Sequence, residues 1–303
     1  MKKILCIRLS YLGDVLLCDP ILRALKKKFP GVQIHFLTDF SAKQLEGSQA
    51  SIDQWHFYTG SARSAAAALW NEKFDLIIDF QSSFSSKLIS FLLFRKRITI
   101  PIFEPQTGQD PHLVDHYFSS LRSLGIESDN RGIEWRNTAL DLTKFNLPSH
   151  YSVFALGARR VTRVISYPKM IELVDRWEGN LVLIGDVWDK HFGDRLAILF
   201  PEKVVNLCEE TSIAESAAII QGSEKVITHN SLMMHIAAAL NKQPIVLYTN
   251  TSAKDGYAPY LASYKVIELE NLACKPCIKI EKDVCPLYHF DCGMKINLDA
   301  IFQ

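Results

Sequence analysis

The sequence predicts an α/β protein built as two doubly wound, parallel-sheet domains of Rossmann-like plan, and three observations carry that expectation. Short apolar runs that read as buried strands alternate with segments of helical spacing along the chain, the pattern of parallel sheets covered on both faces. At 303 residues the chain exceeds what one hydrophobic core ordinarily serves. The apolar periodicity lapses around Pro148 and then begins again, which divides the chain into 1–150 and 151–303.

The elements follow in order. Lys3 to Leu9 is a buried strand, and Val15 to Phe29 carries Leu16, Leu17, Ile21, Leu22, Leu25 and Phe29 at helical spacing. Pro30-Gly31 stops that helix, and Val32 to Thr38 completes a βαβ unit. Asp75 to Phe80 is a further buried strand, followed by a Ser-rich turn, a helix through Phe94 and a strand from Arg97 to Ile102. The segment EPQTGQDPH, 104–112, is rich in turn formers, and His112 to Leu124 resumes helical spacing. Beyond the boundary, strands are expected at Ser152–Leu156, Leu181–Ile184, Val204–Leu207, Lys225–Thr228 and Ile245–Tyr248, with helices near 168–178, 189–200, 212–221 and 232–240.

Composition narrows the function. With 48% hydrophobic and 22% charged residues and a net charge of +1, the chain reads as globular, with no global electrostatic reason to bind nucleic acid. The opening MKKILCIRLS is broken by Arg8 and reads as a strand rather than a leader. No stretch reaches the roughly 18 to 20 apolar residues that span a bilayer. The seven cysteines, an odd number, imply a reducing compartment and free thiols, so a cytoplasmic protein is expected. FLLFRKR, 91–97, reads either as a peripheral contact with an anionic membrane or as a buried helix with a basic end.

In open α/β sheets ligands sit beyond the carboxyl ends of the strands, so the first turn, RLSYLGDV, is where chemistry is expected. It lacks the G-x-G-x-x-G of a dinucleotide site and the Gly-Lys-Ser/Thr of a phosphate loop, which argues against an NAD-linked oxidoreductase. It offers Asp14 near a helix N-terminus. Asp14 reads either as a cap, a role worth about 0.5 to 2 kcal/mol, or as a general base kept ionised by the helix dipole.

The segment IRLSYLGDVLLCDPILRALKKKFP resembles the opening of the bacterial heptosyltransferases, glycosyltransferase family nine, in which Arg-Leu-Ser-x-x-Gly-Asp leads into a Pro-containing helix. FDLIIDFQSSFSSKLIS and HLVDHYFSSLRSLGI are similar to later parts of the same domain, and nearly the whole chain is covered. The resemblance implies a GT-B fold with two domains facing a central cleft. It implies an inverting, metal-independent transfer of heptose from ADP-heptose, or another nucleotide sugar, to the lipopolysaccharide core or a related lipid-linked glycan. No cofactor is expected. Asp14 becomes the base, with Ser10, Gly13 and His112 on the acceptor side, although His112 also reads as a cap.

The second domain of the family holds the donor. In ALGARRVTRVISYPKM, Gly157 matches the family's Gly-Ala turn and Arg163 is the nearest equivalent of its basic residue, with Arg159 and Arg160 beside it. Such a basic loop suits a diphosphate, or is simply solvated. Asp189, with Asp186 competing, stands where an acid meets the ribose. In VITHNSLMMHIAAALNKQPIVLYTNT, Ser231, His235 and Thr251 keep the family pattern, whereas Asn230 stands for Asp and Leu232 for Gly. By position alone His235 reads as a core histidine. The altered motif leaves a second hypothesis open, a non-catalytic or donor-altered member that binds a sugar nucleotide or an assembly partner.

Cys274, Cys277, Cys285 and Cys292, with His289 between, have the leading spacing of a zinc knuckle, flanked by Lys275, Lys279 and Lys282. The alternative is a reduced loop of thiols.

Overall fold

The central strand of the first half, β1 (Lys3–Ile7), is an unbroken apolar run whose residues Ile4 to Ile7 are fully buried, the composition a strand needs when both sheet faces are covered. Each such side chain contributes about 1.5 to 3 kcal/mol by leaving water. The computed structural model describes residues 1–104, 112–137, 139–275, 277 and 283–303. These form two units, Met1–Arg136 and Asn137–Gln303, so the division falls ahead of residue 150 and the segment around Pro148 belongs with the second unit.

In the first unit β1 is followed by α1 (Leu12–Leu16), α2 (Asp19–Lys28), β2 (Gln33–Asp39), β3 (Gln54–Tyr58), α3 (Ala62–Leu69), β4 (Leu76–Asp79), α4 (Phe84–Leu92), β5 (Arg97–Thr99) and α5 (Leu113–Ser120). All five strands are parallel, in the order β3-β2-β1-β4-β5. The single helix expected from Val15 to Phe29 is two. Pro20 has no N–H for the carbonyl one turn back, so the chain breaks at Leu17-Cys18 and Pro20 sits in the first turn of α2, where no donor is required.

The second unit runs β6 (Ser152–Ala155), α6 (Tyr167–Arg176), β7 (Leu181–Ile184), α7 (Val187–Leu199), β8 (Val204–Asn206), α8 (Ile213–Gly222), β9 (Val226–His229), α9 (Leu232–Ala239), β10 (Ile245–Tyr248), β11 (Lys265–Glu268) and α10 (Asp291–Met294). Its parallel sheet has the order β11-β10-β9-β6-β7-β8. The last residues return to the core, where Ile296, Leu298 and Ile301 pack with Met170, Leu173 and Trp177 of the α6 region.

Each sheet is wound outward from one strand and then resumed on its other side. The winding reverses between β1 and β4 in the first unit and between β6 and β9 in the second. Open sheets of this kind part their loops at such points and leave room for a ligand there. Of the expected loop 104–112, residues 105–111 lie outside the described residues.

Candidate active site

In the first unit the reversal point carries Asp14. The chain leaves β1, turns through Tyr11 in left-handed backbone (φ 66), and enters α1, whose cap position is Tyr11 itself. Asp14 lies inside the first turn of α1, so it is not the cap residue. Its Oδ2 accepts a hydrogen bond from Nη2 of Arg8, and Nη1 of Arg8 donates to the carbonyl of Phe80 at 2.7 Å. The two side chains are only 12% and 13% exposed. Burial works against the charge of Arg8, but the Asp14 carboxylate outweighs it and holds the guanidinium above its ordinary pKa. Arg8 is therefore charged throughout the neutral range.

Gln81 fixes the same turn from the loop after β4. Its Oε1 accepts the amides of Leu9 and Ser10 at 3.0 and 3.1 Å, and its Nε2 donates to the Ser10 hydroxyl at 2.8 Å. Gln81 is in turn placed by Asp79, the last residue of β4 and fully buried. Asp79 accepts the amides of Gln81 and Ser82 at 2.9 and 3.0 Å and the Ser86 hydroxyl at 2.9 Å. Gly13 lies within α1 beside Asp14. His112 caps α5, its Nδ1 accepting the amide of Val114 at 3.1 Å. The sequence reading missed Arg8, Asp79 and Gln81. A carboxylate ending an apolar strand before a Ser-rich turn was the available signal for Asp79; the other two are visible only once β1 and β4 are neighbours.

The second unit gathers its candidates beyond β6, β9 and β10. Asn230, almost fully buried, donates from Nδ2 to the hydroxyl of Thr251 at 3.1 Å, and the Ser231 hydroxyl lies 3.2 Å from that of Thr228. Ser231 precedes α9 without closing it by a side-chain hydrogen bond, and His235 is buried on that helix. The loop carrying Arg159, Arg160 and Arg163 is tied from beneath. Thr249 donates to the Thr162 carbonyl at 2.7 Å, Asn250 donates to the Thr162 hydroxyl at 3.0 Å, and Nε2 of His229 accepts the Ile165 amide at 3.1 Å. Burial, opposed by the backbone of Ala155 and Leu156, pushes the His229 imidazole down to about 4. It is neutral wherever the protein is near neutral pH. Arg160 pairs with Asp283 at 3.1 Å, and the charge of Arg163 acts on Asp255.

Asp189 lies in the expected turn after β7 and has a structural task there. With Asp186 it forms a capping box at the start of α7, its Oδ2 accepting the Asp186 amide at 2.9 Å while Asp186 accepts the Trp188 amide at 2.8 Å. Burial, opposed by that amide and reinforced by Asp186, raises the Asp189 carboxyl to about 6. A β-carbon on Gly157 would stand 2.0 Å from Asp189 Oδ2, and one on Gly185 would stand 2.6 Å from Asp189 Cβ. These glycines therefore make room for a carboxylate of the protein itself.

The cysteines at the chain's end are free thiols, and Cys274, Cys277, Cys285 and Cys292 border one small pocket with His289, Thr162 and Asn250. The sulfur of Cys274 is 3.8 Å from Nε2 of His289, and that of Cys277 donates to the Cys274 carbonyl at 3.2 Å. Burial, with the other sulfurs nearby, raises Cys292 to about 11. Among the described residues no three His, Cys, Asp or Glu side chains are grouped so as to hold a metal ion. Lys275 bonds Glu268 at 2.6 Å, while Lys279 and Lys282 lie outside the described residues.

Residues 62–287 match the family model of glycosyltransferase family 9 (heptosyltransferase). The chain belongs to glycosyltransferase family 9. Among curated members, it is 23% identical over 308 residues to lipooligosaccharide heptosyltransferase 2 of Campylobacter jejuni, covering 97% of this chain and 94% of that one. It is 22% identical over 309 residues to lipopolysaccharide heptosyltransferase 2 of Escherichia coli K12, covering 88% of each. Among solved structures, E. coli ADP-heptose lps heptosyltransferase II superposes with a TM-score of 0.74 at 20% identity over 96% of this chain and 97% of that one. E. coli heptosyltransferase WaaC with ADP gives 0.67 at 18% identity over 88% and 93%. The family member described here thus has the GT-B fold and is a glycosyltransferase, the reading favoured over a non-catalytic binder.

Proposed function

We propose that this family 9 enzyme transfers heptose from ADP-heptose to a sugar hydroxyl of a lipid-linked lipopolysaccharide-core acceptor, in one inverting step with Asp14 as the base. The observation that carries the reading is the Arg8–Asp14 pair at the β1–β4 reversal, clamped by Gln81. Its support from relatives lies in their names, which specify heptosyltransferases of lipooligosaccharide and lipopolysaccharide, and in a WaaC structure described as holding ADP-2-deoxy-2-fluoro heptose.

In the reaction the acceptor oxygen forms a bond to the anomeric carbon as the bond from that carbon to the diphosphate oxygen breaks. The hydroxyl proton passes to Asp14 and ADP departs with the bonding electrons. Ser10 and Gly13 shape the acceptor side, with His112 at the start of α5. The departing diphosphate is met by Arg163 and by the backbone amides that open α9, whose dipole favours negative charge, while Asn230, Ser231, His235 and Thr251 hold the sugar and nucleotide near Gly157. Asp189 is left out of the donor set, because its carboxylate closes the start of α7. Fixed cations and helix termini can stabilise a leaving diphosphate without a metal ion.

The test is ADP release from ADP-heptose with a heptose-deficient lipopolysaccharide acceptor, comparing wild type with Asp14→Asn. Turnover that depends on both substrates and on Asp14 supports the proposal. Equal turnover by the two proteins would remove Asp14 as the base, and turnover with a different nucleotide sugar would reassign the donor.

A further inference from the structure

Helices α3 and α4 pack side by side over the first unit's sheet through Ala66, Leu69, Ile89 and Leu93, and what they turn outward is aromatic and cationic. Trp70 is 51% exposed, Phe84 83%, Phe91 52% and Phe94 69%. Phe94 stands edge-on to Trp70 with ring centroids 6.2 Å apart and lies 5.6 Å from Phe91. The guanidinium of Arg97 is 5.7 Å from the centre of the Phe91 ring. Phe94 has a left-handed backbone, φ 49, a region that bulky residues rarely enter. Of the two readings of 91–97, the buried helix with a basic end therefore fails at Phe91 and Phe94.

The charge around these rings has one sign. Arg63, Lys73, Lys87, Arg95, Lys96 and Arg97 are all exposed. Across residues 62–73 and 84–97 the sequence holds one carboxylate, Glu72, and it is paired with Lys3 at 2.7 Å. On α4, Phe84, Lys87 and Phe91 recur at helical spacing, so two rings and a cation share one stripe, and Arg95 to Arg97 follow just past the helix end. A groove of about 470 Å3 bordered by Arg63, Ala66, Ala67, Trp70, Asn71 and Leu92 lies beside them.

Clustered exposed apolar side chains rimmed by polar groups mark interaction sites. Rings that reach an acyl boundary while Lys and Arg meet phosphates, with the one intervening acid, Glu72, paired to Lys3, form the complement of an anionic lipid surface. We infer that the outer face of α3 and α4 is a docking surface for an anionic bilayer. The face begins at Phe84, just past Gln81, and so starts from the sheet end that carries Asp14 and runs to the opposite end at Arg95 to Arg97. An enzyme lying on this face keeps its base-bearing turn near the membrane plane. The inference takes from the proposed function only the lipid-anchored acceptor, and its test reads binding without turnover.

The experiment is cosedimentation of the full chain with vesicles of phosphatidylethanolamine and phosphatidylglycerol, against vesicles of phosphatidylcholine alone, without donor or acceptor. The protein is expected to pellet with the anionic vesicles and to be released by salt. Phe91→Ser with Phe94→Ser, which removes inserted apolar area, and separately Arg95→Glu with Lys96→Glu, which reverses two cations, should each weaken binding by about tenfold or more. Both pairs are exposed, and unchanged thermal midpoints would show that the fold persists. Asp14→Asn should bind vesicles like wild type, which separates this test from the catalytic one. The inference is overturned if wild type pellets with neither vesicle, or if both double variants pellet as wild type does. It is also overturned if size-exclusion chromatography shows a dimer that Phe91→Ser with Phe94→Ser abolishes while vesicle binding is absent, since the face would then belong to a second copy.

Discussion

The two units place their candidate residues at the same topological position and hold them by opposite electrostatic means. In the first, the turn after β1 is fixed by a nearly buried ion pair, Arg8 with Asp14, and by an amide side chain leaning on a buried carboxylate. In the second, the loop after β6 is tied from beneath by neutral groups, Thr162, Thr249, Asn250 and the imidazole of His229, and an ion pair, Arg160 with Asp283, holds only its more exposed side. In the proposed reaction Asp14 must remain a carboxylate until it accepts a proton, and a fixed counter-charge such as Arg8 favours that form. In the proposed reaction the loop of the second unit would receive a diphosphate, and neutral supports beneath it leave the field of the 159–163 cations undiminished from that side. The difference teaches that the shared plan of the two sheets sets where chemistry happens, while the side chains beneath each loop set its sign.

The comparison is most exposed at Asp14. Replacing it with Asn should lower kcat by about a thousandfold, within the range of general-base removal, with little change in donor KM. Steady-state kinetics checks this, and a large rise in KM instead would make Asp14 a binding residue. Arg8→Met removes the guanidinium from the nearly buried Asp14 carboxylate and should cost roughly 3 kcal/mol in urea unfolding at neutral pH. The double variant Arg8→Met with Asp14→Asn should recover much of that loss; no recovery would mean that Arg8 acts through packing rather than charge.

On the neutral side, the sign follows from His229. Its folded pKa, about 4, lies below the ordinary value of 6.5, so the unfolded chain takes the proton first as the solution is acidified. Stability from keeping it neutral is complete above pH 6.5 and is lost progressively toward pH 4, by on the order of 3 kcal/mol. Asp19 and Asp189, each raised to about 6 by burial, act in the opposite direction over the same window. The measurement is therefore the difference in unfolding free energy between wild type and His229→Gln from pH 7 to 4, which should shrink as pH falls. Asn230→Ala should have the smallest effect, a rise in donor KM of about fivefold with kcat nearly unchanged, the size of one lost hydrogen bond. A fall in kcat of comparable size would show that this side also senses the transition state.

The sequence was read most securely where physics is local. The strands β1, β4, β6, β7, β9 and β10 appear as apolar runs, and Asp14 was marked by its turn and by a family motif. The edge strands β3 and β11 were not read, because partly exposed strands such as β3, with Trp55 buried and His56 to Tyr58 only partly so, lack the run that betrays a central strand. Arg8 was noted as the residue that interrupts an apolar segment and opens the family motif, but not for its pairing, which depends on the helix that follows. Gln81 and Asp79 escaped notice because their role exists only across the seam between β1 and β4, whose strands are far apart in the chain. Asp189 was placed in the right loop, but one-dimensional order could not show that its carboxylate folds back over Gly157.

The hydrogen bonds of Gln81 across that seam have a consequence for how the turn tolerates change. Ile7 and Asp79 are register partners, so the distance from Asp79 to Gln81 is a ruler that positions Ser10 and, beyond it, Asp14. Substitutions between Phe80 and Ser83 alter the strength of the clamp, whereas an inserted or deleted residue would move its point of attachment. In that stretch the fold constrains chain length more tightly than side-chain identity.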